Sequence, residues 1–136
     1  MENYVNILRQ HNLKATPQRA EITALLDRHG HLSIEELYEL LKKKFHSLSL
    51  ATIYKNINIM MENSFITEVK IPQQKSVYEL SKEAHAHIVC QECNAIEDIH
   101  LNLEGVLTQA SQKTTFHIDS AHLVLKGVCS TCRSAL

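Results

Sequence analysis

Apolar residues recur at helical intervals through the first half of the chain and at strand-like intervals afterwards. Tyr4, Val5, Leu8 and His11 share one side of a short amphipathic helix over 2–13. Thr16 and Pro17 supply an N-cap and a first-turn proline for a second helix. Its buried face is Ile22, Leu25 and Leu26, and Gly30 is placed to stop it. Ser33-Ile34-Glu35-Glu36 is a capping box that starts a third helix with Leu37, Tyr38, Leu40 and Leu41 inward. Ser49 caps a fourth, whose apolar stripe of Leu50, Ile53, Ile57, Met60 and Met61 runs to a stop at Asn63. Residues 65–71 and 76–80 then favour strand, separated by Pro72-Gln73-Gln74-Lys75. Helices followed by a two-stranded ribbon describe a winged helix-turn-helix, in which the last helix enters the DNA major groove and the ribbon flanks it.

The pattern changes character after about residue 82. Residues 86–89, 95–101 and 116–125 read as strands, with a helix over 103–113, which predicts a small α+β module. The boundary falls at 81–84, giving an N-terminal unit of 1–82 and a C-terminal unit of 83–136. The expected fold class is therefore α+β throughout, with helices leading and a small sheet module following.

The chain has 136 residues, 44% of them apolar, enough to form a core without disulfides. No apolar run approaches the roughly 18 residues of a membrane span, and the first residues lack the layout of a secretory signal. The expectation is a cytoplasmic protein with no membrane association, whose thiols stay reduced and bind metal rather than pair. The formal charge is −1, which by itself gives no sign of nucleic-acid binding. Residues 1–82 hold 11 Lys/Arg against 9 Asp/Glu, and residues 83–136 hold 3 against 6, so the mild positive excess sits on the winged-helix half. All four cysteines and five of the nine histidines fall in the second half.

Cys90-Gln91-Glu92-Cys93 and Cys129-Ser130-Thr131-Cys132 are two C-x-x-C pairs. Two-residue spacing turns both thiolates of a pair toward one cation, and two pairs complete a four-sulfur tetrahedron suited to structural Zn2+. The competing readings are four unrelated thiols or redox-active pairs. A thioredoxin-type arrangement would place one pair at the start of a helix within a βαβ pattern, which this sequence does not offer.

His85 and His87 precede the first pair, and residues two apart on a strand share a face. With Glu79 and Asp98 nearby in sequence they make a mixed nitrogen and oxygen donor set suited to Fe2+, Mn2+ or Zn2+; the bland alternative is two surface histidines. His122, flanked by Ala121 and Leu123, is expected to be a buried core histidine. His11, His29, His46, His100 and His117 read as solvated or locally bonded, and His31 is open between a ligand and a loop residue.

Leu13-Lys14-Ala15-Thr16-Pro17-Gln18-Arg19, Leu50-Ala51-Thr52-Ile53-Tyr54, His85-x-His87-x-x-Cys90-x-x-Cys93 and Cys129-x-x-Cys132, in this order, resemble the ferric uptake regulator (Fur) family. The resemblance covers nearly the whole chain. It implies a homodimeric, metal-dependent repressor with an N-terminal winged helix that binds operator DNA and a C-terminal dimerisation domain. It also implies structural zinc on Cys90, Cys93, Cys129 and Cys132, and a regulatory site of His31, Glu79, His85, His87 and Asp98. Asp98 is the residue usual in the peroxide-sensing branch, PerR, where iron-sensing members usually carry Glu; the best-known peroxide sensors carry Asp where this chain has Glu79. In that branch His31 and His85 would be the oxidation-sensitive ligands. Ala84 and Ala86 stand where many members carry a second set of ligands, leaving Glu104 and His122 as remnants. Lys55 matches neither usual residue at an operator-discriminating position.

Together these imply a repressor that closes on DNA when Fe2+ or Mn2+ ties its two halves together and, with Fe2+, senses peroxide by histidine oxidation. An iron-responsive repressor without peroxide chemistry is the alternative, and a zinc hydrolase on His85, His87 and Asp98 a more distant one. No enzymatic activity is expected. Lys14, Arg19, Thr52, Tyr54, Lys55 and Asn56 are the candidate DNA contacts, with Asn58 beside them.

Overall fold

Four helices and a two-stranded wing build the N-terminal unit: α1 (Tyr4–Gln10), α2 (Pro17–His29), α3 (Ile34–Lys42), α4 (Leu50–Glu62), β1 (Ile66–Val69) and β2 (Val77–Leu80). The computed structural model describes residues 4–81, 85–119 and 121–134, in two compact units, Met1–Lys82 and Glu83–Leu136. Leu8, Ile22, Leu26, Leu37, Leu41, Ile53, Ile57 and Met60 form the centre of the N-terminal core. These are the positions that helical spacing points inward. Leu50 departs from the expected stripe. It opens α4 one turn ahead of the first core position, Ile53, and stays 42% exposed.

Caps define the helix ends. Thr16 accepts the Arg19 N–H, and Pro17 begins α2. Gly30 closes α2 at φ +82°, a left-handed conformation that a side chain would strain. The Ser33 hydroxyl accepts from the Glu36 N–H at 3.2 Å while the Ser33 N–H donates to Glu36 Oε1 at 2.9 Å, a complete capping box. Ser33→Ala is expected to cost about 1 kcal/mol, read as a lower urea midpoint at unchanged slope.

β1 and β2 pair antiparallel, Ile66 opposite Leu80 and Val69 opposite Val77. One contact outside the predicted elements extends this wing. Leu32, in the α2–α3 connection, bridges Tyr78 through reciprocal backbone bonds of 3.1 and 2.8 Å.

The C-terminal unit contains β3 (Ala86–Cys90), β4 (Ile96–Ile99), α5 (Leu103–Ser111), β5 (Val124–Gly127) and α6 (Ser130–Ser134). Its sheet has the order β4-β3-β5, with β3 antiparallel to β4 and parallel to β5. The strand expected over 116–125 is shorter and later. β5 pairs only where β3 offers an edge, Val124 opposite His87 through Gly127 opposite Cys90, and Phe116 is left 79% exposed. The short helix α6, over the second cysteine pair, was not expected. Buried apolar side chains of this unit are few: Ala86, Val89, Cys90 and Leu103 among the described residues. Leu101, Val106, Phe116, Leu125 and Val128 remain exposed.

Candidate metal centres and nucleic-acid face

Parallel pairing of β3 with β5 brings both cysteine pairs to one edge of the sheet, because Cys90 and Gly127 are opposite each other at the ends of their strands. The Gln91 N–H donates to the Gly127 carbonyl at 2.8 Å and fixes the two turns together. All four Sγ atoms lie within 4.8 Å of one another, and Cys93 Sγ is 3.8 Å from Cys129 Sγ. A tetrahedron with zinc–sulfur bonds of ~2.3 Å has edges of ~3.8 Å, so the thiols fit that ion. Backbone N–H groups of Cys129 and Cys93 point at Cys90 Sγ from 3.4 and 3.5 Å. These donors stabilise its thiolate and bring the Cys90 pKa down to about 6. Cys132 is pushed up to about 12, first by its hydrogen bond to Cys129 and then by that to Cys93. Sulfurs this close resist joint ionisation until a cation shares their charge. The arrangement is a zinc-type structural site.

A second group of donors in this unit lies beside β3 and β4. His87 is directly opposite Asp98 in the antiparallel register, and both His87 and His85 turn Nε2 toward the same carboxylate oxygen. The distances to Asp98 Oδ1 are 3.5 Å from His87 and 3.6 Å from His85. The two Nε2 atoms are 3.0 Å apart, the separation of two nitrogens bound at right angles to one cation at ~2.1 Å. His87 is buried. The ring of His100 lies 6.4 Å from that of His85, centroid to centroid.

The N-terminal unit has a matching pair. The Leu32–Tyr78 bridge makes His31 and Glu79 neighbours across the extended wing, and His31 Nε2 lies 2.8 Å from Glu79 Oε2. The Glu79 side chain is 2% exposed and His31 14%. A carboxylate so buried requires a charged or hydrogen-bonding partner, and an imidazole or a cation meets that requirement. His31, which sequence left open, is therefore placed by an extra rung of sheet rather than by a loop.

The remnants come out differently. His122 is exposed rather than buried, because it precedes β5 and lies outside the sheet. Glu104 is exposed in the first turn of α5. Ala86 is buried without a donor, and Ala84 lies outside the described residues.

On the outer side of α4, Thr52, Tyr54, Lys55 and Asn58 are exposed, opposite the buried Ile53, Ile57 and Met60. Lys14 is exposed in the α1–α2 connection. Arg19 and Asn56 are half-buried and joined, Arg19 Nε donating to Asn56 Oδ1 at 3.0 Å. Asn56 is thus less freely presented than its neighbours.

Residues 10–126 match the ferric uptake regulator family. The chain belongs to that family. Members are metal-responsive transcriptional regulators, and the winged-helix fold is shared with solved Fur structures. This Fur-family chain is 30% identical over 135 residues to the peroxide-responsive repressor PerR of Staphylococcus epidermidis, covering 98% of this chain and 90% of that one. Among solved structures, the Campylobacter jejuni peroxide stress regulator is 35% identical with a TM-score of 0.74, covering 97% of this chain and all of that one. The Vibrio cholerae ferric uptake regulator is 28% identical with a TM-score of 0.74, covering 93% and 100%. In the described residues of this Fur-family chain, no helix is long and apolar enough to cross a membrane.

Proposed function

We propose that this protein is a PerR-like repressor: a homodimer that binds operator DNA through α4 and responds to peroxide by oxidation of a regulatory-site histidine. The observation that carries the reading is the convergence of His85, His87 and Asp98 on one point in a Fur-family chain, with Asp at position 98. One cation, Fe2+ or Mn2+, would take these donors together with His31 and Glu79, which belong to the other unit. Binding both sets at once favours one orientation of the winged helices, and a dimer reading two half-sites needs its recognition helices one DNA turn apart. The V. cholerae relative, whose structure reveals rearrangement of its DNA-binding domains, supports a switch of this kind. The exposed Val106, Phe116 and Leu125 of the C-terminal unit suit a partner protomer. Lys14, Arg19, Thr52, Tyr54 and Lys55 meet the DNA in this reading, with Zn2+ on the cysteines holding the C-terminal unit in shape and the whole acting in the reducing cytoplasm. We read the chain as a regulator rather than an enzyme, as its family is.

Fe2+ bound there would supply the redox chemistry that activates peroxide, and Mn2+ would not. His31 and His85 would hold imidazole carbons beside such an ion; insertion of one peroxide oxygen into a ring C–H bond, with cleavage of the O–O bond, would release water and leave a histidine one oxygen heavier. The test is peptide mass spectrometry after anaerobic loading with Fe2+ or Mn2+ and a brief peroxide pulse. One added oxygen on the His31 or His85 peptide, with iron only, is the expected result. Metal-dependent DNA binding without that oxygen would leave an iron-responsive repressor instead.

A further inference from the structure

The Arg19 guanidinium connects two elements that the sequence treats as separate DNA contacts. Its Nε donates to Asn56 Oδ1 of α4 at 3.0 Å, and one terminal nitrogen donates to the Lys14 carbonyl in the α1–α2 connection at 3.0 Å. The backbone below it is equally fixed. The Arg19 N–H is held by the Thr16 hydroxyl at 3.2 Å, and the Arg19 carbonyl accepts from the buried Thr23 hydroxyl at 2.8 Å. A guanidinium carries five N–H donors in a rigid fork. Two are used among the described residues, which leaves three on a group whose rotamer is already set.

The oxygen of Asn56 is the acceptor that sets it. An asparagine reading adenine needs its carboxamide oxygen and nitrogen both free for the base edge. Here the oxygen is engaged within the protein, and Asn56 is half-buried while Tyr54 and Lys55 on the same helix are exposed. We propose that Asn56 is a positioning residue: it holds Arg19 to face a DNA phosphate and, through Arg19, fixes the segment bearing Lys14 relative to α4. Lys14 and the exposed residues of α4 then meet the DNA at a set spacing, with the ordering of Arg19 complete before binding. This inference rests on the reading of the N-terminal unit as the DNA-binding half.

The test uses the full-length, Mn2+-loaded protein and a duplex selected from a random pool by the wild type. Binding is measured against salt, with base preference scored at every position. Asn56→Ala is expected to weaken binding roughly tenfold and to lower the salt slope by about 0.9, the value of one phosphate contact. Arg19→Ala should give the same slope, and the double variant should be no worse than Arg19→Ala alone. Asn56→Asp, which keeps the acceptor, should restore the slope. Base preference should not move in any of them, and circular dichroism checks that each variant is folded. A changed preference at one base pair with the slope intact would make Asn56 a base reader and overturn the proposal, as would additive losses. If the wild type selects no duplex, the DNA-binding reading falls and this inference with it; if it does and the variants fail the pattern, this inference falls alone.

Discussion

Cys90→Ser is expected to unfold the C-terminal unit while the N-terminal helices stay folded. The C-terminal unit buries little apolar surface of its own, Ala86, Val89, Cys90 and Leu103 among the described residues. A four-thiolate zinc site contributes on the order of 10 kcal/mol to the folding of a small domain, far more than those four side chains can replace. Cys90 is also the thiol that receives the Cys93 and Cys129 N–H groups, so its loss removes the point about which both pairs are arranged. Zinc content should fall from one per chain to near zero. Hydrogen exchange should lose protection over β3–β5 and keep it over α2–α4. Retained protection in β3 and β5 without zinc would show that the sheet stands alone.

The second large effect is at the regulatory donors. His87→Ala removes an imidazole that faces both His85 Nε2 and Asp98 Oδ1, and a loss of at least about 100-fold in affinity for Mn2+ or Fe2+ is expected. Driving a two-state equilibrium from 1:99 to 99:1 requires about 10⁴-fold differential binding, roughly 5.5 kcal/mol. Removing about 100-fold of that leaves a nearly even mixture of states even at saturation. Mn2+-dependent retention on DNA should therefore be weak at any metal concentration, while structural zinc remains at one per chain. Full retention at high Mn2+ would mean that His87 serves the fold and not the switch.

Most of the helices were legible because each has both a stripe and a cap. Thr16-Pro17, Ser33 with Glu36, and Ser49 mark their starts, and the buried positions follow at three- and four-residue spacing. The cysteine cluster was legible for a similar reason, since two-residue spacing is itself geometry. Pairing between distant segments was not. Nothing local says that Leu32 will bridge Tyr78, yet that rung makes neighbours of His31 and Glu79. Nor does a β-prone run reveal which part will find a partner; of 116–125 only the last two residues enter β5, Val124 opposite His87 and Leu125 opposite Ile88. His122 misled for the complementary reason: apolar sequence neighbours do not bury a residue that lies ahead of its strand. The regulatory histidines lie between these cases. His85 and His87 share a face by strand geometry alone, but their partner carboxylate needed the register that sets Asp98 opposite His87.

The parallel pairing of β3 and β5 also bears on how the protein is made. The elements of the N-terminal unit are complete once residue 80 has left the ribosome. Cys90 and Cys93 then wait for Cys129, 36 residues beyond Cys93, which at ordinary elongation rates is ~2–7 s. During that interval the first thiol pair has no partner pair and β3 lacks one of its two edges. The winged-helix half can thus be folded on the nascent chain while the four-cysteine module is still half a ligand set, and this is the stage at which a growing chain is most open to oxidation of its thiols.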